Sequence, residues 1–256
     1  MTSEFPRAIV RSPVAPLFEE PSVSSVQISQ LLGGHSVELL EERDGWWCVR
    51  GLDLYEGWMH HGYIAGGTDP IVGASVPPSR LSLGSVVTHG GSRRALPLGA
   101  YLDHDDQIVS GEVVDVGEQA RRFPRDAAAI TCTARCYFEG TSYLWGGVTP
   151  WGADCSGLVQ SSFGLHGVHL PRDAWQQASQ GVPGEANPLD AREGDLLFFS
   201  DRPDRHITHV AISLGGGGIV HLALGRGGFG IENLLDDSDR YVRTLLERFA
   251  VARRVL

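Results

Sequence analysis

The stretch DCSGLVQSSFGLHG (154–167), read together with ITHVAISLGGGGIVHLAL (207–224), decides the fold. In the first, Leu158, Val159 and Phe163 share one face at helical spacing, Asp154 stands where an N-cap belongs, and Gly167 supplies the stop. Ahead of it, RDAAAITCTARCYF (125–138) carries small or apolar residues at 129, 132, 133, 136 and 137, again a helical period, with Asp126 as cap or first-turn residue. On this reading Cys132 and Cys136 are small residues that let the helix pack closely. DLLFFS (195–200), ITHVAISLG (207–215) and GIVHLAL (218–224) read as strands, the last two joined by a glycine turn at 215–218. Helices followed by an antiparallel sheet give an α+β domain.

Outward from this core the texture changes. Residues 5–65 read as short strands with a turn at Asp44-Gly45, and suit a small antiparallel barrel with Trp46, Trp47 and Trp58 in its core. GGTDPIVGASVPPSR (66–80) has linker composition. LSLGSVVTHGG, ALPLGAYL and QIVSGEVVDV, within 81–118, suggest a second small barrel. GRGGFG (225–230) reads as turns, because no strand–loop–helix unit surrounds it, and LERFAVARRVL as a closing strand. The expected division is 1–72, 73–120 and 121–256.

Composition narrows the function. Among 256 residues, 42% are hydrophobic and 20% charged, so a core can be buried. A formal charge of −10 lacks the basic footprint of a phosphate-gripping surface, which excludes nucleic acid as the expected partner. No apolar run is long enough to span a membrane. The N-terminus has no basic region followed by an apolar one, so a cytoplasmic location is expected. Cys48, Cys132, Cys136 and Cys155 are too sparse for a disulfide scaffold.

Cys155 stands at the first turn of its helix, where unpaired N–H groups and the macrodipole favour a thiolate; a neighbouring imidazolium would lower its pKa further. His209 and His221 lie twelve positions apart on adjacent strands. An odd-length hairpin loop puts them on one face, whereas an even loop without a bulge puts them on opposite faces. On one face, the three residues form a nucleophile, a base and an orienter. A zinc site on the same three side chains is the rival, lacking a second sulfur or an obvious carboxylate ligand. No metal or cofactor is expected.

YLWGGVTPWGADCSGLV (143–159), HLPRDAWQQ (169–177), REGDLLFF (192–199) and ITHVAISLGGGGIVH (207–221) resemble the NlpC-type cysteine peptidases that cut bacterial cell-wall peptides. The resemblance implies a papain-like catalytic domain, here preceded by two small Src-homology-3-like barrels. It implies Cys155 as nucleophile, His209 as base and His221 as third polar residue, with Tyr143 adding a hydroxyl to the oxyanion site. Members that combine barrels with the PRD motif resemble γ-D-glutamyl-diamino acid endopeptidases that require a free N-terminal L-Ala. That implies a murein peptide substrate and a small closed pocket with a carboxylate for the ammonium. The matching positions are Tyr143, Trp145, Asp154, Ser156 and Asp173, with Tyr55 from the first barrel and Tyr63 as its alternative. Ala174 departs from the hydroxyl residue frequent in relatives, so one substrate hydrogen bond is missing. A wall-binding module without activity, and a thiol amidase or acyltransferase, are the competing functions.

Overall fold

Alternating burial builds the N-terminal strands. In β1 (Arg7–Val10), β2 (Val14–Phe18), β3 (Gln27–Leu32), β4 (Ser36–Arg43), β5 (Trp46–Arg50), β6 (Glu56–His60) and β7 (Ile64–Ala65), the inward residues Ala8, Val10, Ala15, Leu17, Leu31, Val37, Leu39, Val49, Met59 and Ile64 form one apolar core. The sheet order is β3-β2-β6-β5-β4-β1-β7. Asp44 and Gly45 both have positive φ, 50° and 81°, the geometry of a tight hairpin whose twist matches its strands. Trp46 and Trp58 are buried, and Trp47 packs on the core, as the sequence reading expected.

A second sheet, β8 (Arg80–His89), β9 (Ser92–Tyr101) and β10 (Gln107–Asp115), runs in the order β10-β8-β9. Among the described residues neither sheet closes on itself, which corrects the expectation of barrels: three strands are too few, and in the larger sheet β3 and β7 remain edges. The computed structural model describes residues 5–65 and 78–256, so most of the segment read as a linker, and the expected boundary at 72/73, lie outside the described residues. Both sheets fall within one unit, Met1–Gln119. They meet through Tyr101 N–H on the Gly33 carbonyl at 2.8 Å and His35 Nε2–H on the Gly99 carbonyl at 3.0 Å.

The second unit, Ala120–Leu256, begins within the short α1 (Gln119–Arg122). Helix α2 (Ala127–Phe138) is capped by Asp126, whose carboxylate accepts the Ala129 N–H at 3.0 Å. Its buried residues are Ile130, Thr131, Thr133, Ala134 and Phe138, so of the face read from the sequence only Thr133 is buried; Cys132 and Cys136 are exposed, their sulfurs 3.5 Å apart. The large apolar side chains, not the small ones, choose the inward face. A two-strand hairpin, β11 (Val148–Thr149) and β12 (Gly152–Ala153), leads into α3 (Cys155–Leu165), whose Leu158, Val159 and Phe163 are wholly buried. Gly167 ends it at φ 71°.

Beyond α4 (Ala174–Gln177) come β13 (Val182–Pro183), β14 (Leu196–Phe199), β15 (His209–Gly215), β16 (Gly218–Ala223), β17 (Gly228–Asn233), α5 (Arg240–Glu247) and β18 (Phe249–Arg254). They form a six-stranded sheet in the order β13-β18-β14-β15-β16-β17. Ala191, Leu197, Phe199, Ala211, Ile219 and Ala252 pack with Val242 and Leu245 of α5. Two sequence expectations are corrected here. The glycine-rich 228–230 belongs to edge strand β17, not to a turn, because its backbone pairs with β16 from Ala223↔Gly228 to Gly218↔Asn233. The terminal run gives a strand, but Leu246 and Glu247 belong to α5. The architecture is α+β, as expected.

Candidate active site

The local sequence folds Cys155 into place by backbone contact. Asp154 has extended backbone and caps α3, accepting the Gly157 N–H at 2.8 Å. The Cys155 N–H lies in the first turn, among those a helix leaves without an intrahelical acceptor. Gly157 has no room for a side chain: a Cβ there would lie 2.1 Å from the Gly147 carbonyl oxygen. The helix start therefore presses directly on the 146–154 hairpin.

Asp154 is held on every side. Its carboxylate accepts Arg172 Nη1 at 3.0 Å and Nη2 at 2.7 Å, the Gly146 N–H at 2.8 Å and the Ser156 hydroxyl at 3.1 Å. Arg172 is 1% exposed and also donates to the Ser156 Oγ at 2.8 Å. A buried pair this fully bonded escapes the cost of an orphaned charge; removing one partner typically costs about 3–5 kcal/mol. Arg172 was missed in the sequence reading although the quoted HLPRDAWQQ contains it. A charged residue before a cap aspartate looks exposed by composition, and only the fold shows it buried.

The two imidazoles meet. His209 Nε2 lies 2.9 Å from His221 Nδ1, with ring centroids 5.0 Å apart. Their shared face has an instructive origin. The tight loop is even, Gly216 and Gly217 between the pair Gly215↔Gly218, which alone would separate the rings. A register shift between Ser213 and Gly215 adds one residue, Leu214, and beyond it Ile212 pairs with Val220. Parity is restored by the bulge, and His209 and His221 become diagonal neighbours.

The electrostatics differ from the sequence expectation of an ionised sulfur. Burial, with the Asp154 carboxylate next to it, pushes the Cys155 thiol up to about 12, although the N–H groups of Val210 and Ser156 and the Arg172 guanidinium favour the thiolate. Burial, then His221, lowers His209 to about 3. The pair therefore rests as thiol and neutral imidazole. Burial also raises the Tyr143 hydroxyl, with a further push from Cys155, so it stays a proton donor.

The unit thus brings together Cys155, His209, His221, Tyr143, Asp154 and Ser156. Asp173 is the N-cap residue of α4, its N–H donating to Gln176 Oε1 at 3.2 Å, and Ala174 is buried behind it. Trp145 is 62% exposed. Tyr55 and Tyr63 belong to the first unit, where both pack on the apolar core. The only candidate metal cluster among the described residues, His89, Asp103 and Asp106, also lies in that unit, and Arg94 already pairs with both carboxylates.

A half-buried imidazole bonded to a second one, on a strand whose N–H faces a helix-tip thiol, on a papain-like α+β scaffold, defines a cysteine peptidase domain. The NlpC/P60 family profile matches residues 140–242 and the bacterial SH3 domain profile residues 13–65, so the chain carries an NlpC/P60 domain together with a bacterial SH3 domain. It is 44% identical over 87 residues to a gamma-D-glutamyl-L-lysine dipeptidyl-peptidase of Bacillus subtilis, a match spanning 33% of this chain and 28% of that protein. A Bacillus cereus protein of the same name is 25% identical over 257 residues, covering 89% of this chain and 75% of that one. In fold, the chain superposes on an NlpC/P60 family protein from Bacillus cereus with TM-score 0.79 at 19% identity, over 98% of this chain and 99% of that one.

Proposed function

We propose that the chain is an endopeptidase that cleaves the γ-D-glutamyl–diamino acid bond of short murein peptides bearing a free N-terminal L-Ala. The observation that carries the reading is the 2.9 Å bond between His209 Nε2 and His221 Nδ1 on the strand whose Val210 N–H faces the Cys155 sulfur. Because that bond occupies Nε2, Nδ1 of His209 is left to take the thiol proton as sulfur adds to the scissile carbonyl. The Cys155 N–H and the Tyr143 hydroxyl stabilise the oxyanion. Collapse of the tetrahedral intermediate returns the proton to the departing diamino acid nitrogen and leaves a thioester on Cys155. Water, deprotonated by His209, then releases the γ-D-glutamyl acid and restores the thiol. Beside the buried Asp154–Arg172 pair, Asp173 supplies the carboxylate for the substrate ammonium, and Trp145 flanks the peptide. No helix among the described residues is long and apolar enough to cross a membrane.

The relatives' printed name, gamma-D-glutamyl-L-lysine dipeptidyl-peptidase, supports this bond and this substrate class. Mass spectrometry of L-Ala-γ-D-Glu-diamino acid digests, with free and acetylated N-termini, tests it. The free peptide is cut into L-Ala-γ-D-Glu and the diamino acid, the acetylated one is spared, and Cys155→Ala is inactive. Cleavage by Cys155→Ala at the wild-type rate rejects the nucleophile; equal cleavage of both peptides rejects recognition of the amine.

A further inference from the structure

The far side of His221 has no role in the mechanism above, yet it is built with care. His221 is fully buried, and its Nε2 has no hydrogen-bond partner among the described residues. That nitrogen faces Glu232 on β17, Oε1 lying 3.8 Å away. Gly230 pairs directly with His221, and a Cβ there would lie 3.4 Å from Nε2 and 3.3 Å from Glu232 Oε1, so the missing side chain leaves the two groups in view of each other. The carboxylate is fixed from behind. Arg226 donates Nε to Oε1 at 2.7 Å and Nη2 to Oε2 at 3.0 Å, is itself paired with Asp239, and lies 4.3 Å over the Tyr241 ring. His221 and then Arg226 hold the Glu232 carboxyl below the usual range, so it carries its charge at neutral pH.

When both are neutral, two imidazoles sharing one hydrogen bond have two proton arrangements. In one, His209 Nε2–H donates to His221 Nδ1, and His209 Nδ1 is bare. In the other, His221 Nδ1–H donates to His209 Nε2, and His209 Nδ1 carries a proton. Only the first can accept a proton from the thiol. The 2.9 Å bond is compatible with either, so something outside the pair must choose. In the second arrangement the bare lone pair of His221 Nε2 faces a carboxylate; in the first, an N–H does. The partner of the distal nitrogen sets the tautomer.

We propose that Glu232 is a positioning residue that holds His221 as its Nε2–H tautomer, and thereby keeps His209 Nδ1 free to act as base. The proposal rests on the reading of Cys155, His209 and His221 as the reacting set. Two-bond 1H–15N spectra of 15N-histidine-labelled protein read the tautomers of the unaltered chain directly. Both histidines carry their protons on Nε2 if the proposal holds, and a bare His221 Nε2 overturns it with no variant needed. In Glu232→Ala, kcat falls about 10–100-fold at unchanged KM, and a His209 Nδ1–H signal emerges. Glu232→Gln, whose amide oxygen still accepts the bond, keeps the Nε2–H tautomers and recovers most of kcat. Wild-type kcat and tautomers in Glu232→Ala reject the positioning role. Cys155→Ala, assayed alongside, fails separately: if it retains activity, the reacting set itself is wrong whatever the tautomers show.

Discussion

At Cys155 two tendencies oppose each other, and burial wins. The Val210 and Ser156 N–H groups and Arg172 favour a thiolate, but the side chain is 6% exposed and has Asp154 beside it, and the thiol is pushed up to about 12. With His209 lowered to about 3, the proton stays on sulfur. Iodoacetamide labelling, read peptide by peptide in a mass spectrometer, distinguishes this resting state from a thiolate–imidazolium pair. Labelling of Cys155 rises about tenfold per pH unit between pH 6 and 9, as expected for a group titrating well above that range. A labelling rate already on a plateau at pH 5 would show that the sulfur is ionised. The exposed Cys132 and Cys136 report in the same digest and separate reagent effects from site effects.

At the scale of elements, the geometry of the proposed site comes from two backbone devices. One is the bulge at Leu214; the other is the contact of α3 with the hairpin before it. Gly157→Ala tests the second: a methyl group 2.1 Å from the Gly147 oxygen forces the first turn away, carrying Cys155 with it. The expected outcome is a loss of kcat/KM of at least about 100-fold, since displacements near 1 Å at a reacting atom cost that much. Circular dichroism should retain the helical content, because Leu158, Val159 and Phe163 still anchor the helix. Unchanged turnover would mean the contact relaxes without cost. These elements also show what was legible in the sequence. The helix over 155–165, its cap and the two histidine strands follow from period and punctuation. The bulge does not: Ile219, Val220 and His221 are all buried, so hydrophobic alternation cannot report register, and the parity argument could only name the condition to be met. Strand β17 was hidden by its glycines, and with it Glu232. On α2 the small residues point to another face, but the apolar area offered by Ile130 and Phe138 outweighs the close packing they would allow.

Across the whole molecule, acid should loosen both units before most carboxylates titrate. Burial lowers the pKa of His35 in the first unit and of His166 and His209 in the second. A histidine whose folded pKa lies below its unfolded value of about 6.5 binds more protons unfolded than folded between those two values. Its contribution to stability is complete above pH 6.5 and is lost as pH falls toward the folded value. His166 makes the structural cost visible: Nδ1–H donates to the Pro124 carbonyl at 2.6 Å and Nε2 accepts from Thr133 Oγ1 at 2.8 Å, tying the end of α3 to α2. Protonation places a second N–H against that hydroxyl and a charge inside the helix pair. Hydrogen exchange of α2 and α3 amides, corrected for intrinsic rates, should therefore show protection falling between pH 7 and 5. Replacing His166 with Asn, which keeps a donor and an acceptor but cannot titrate in this range, should flatten the dependence in α2 and α3. An equally steep loss in the variant would assign the acid sensitivity to other groups. The lowered carboxylates at Glu232 and Asp239 act with the same sign but at lower pH, through their own folded values, so a second and later loss should appear around β17 and α5.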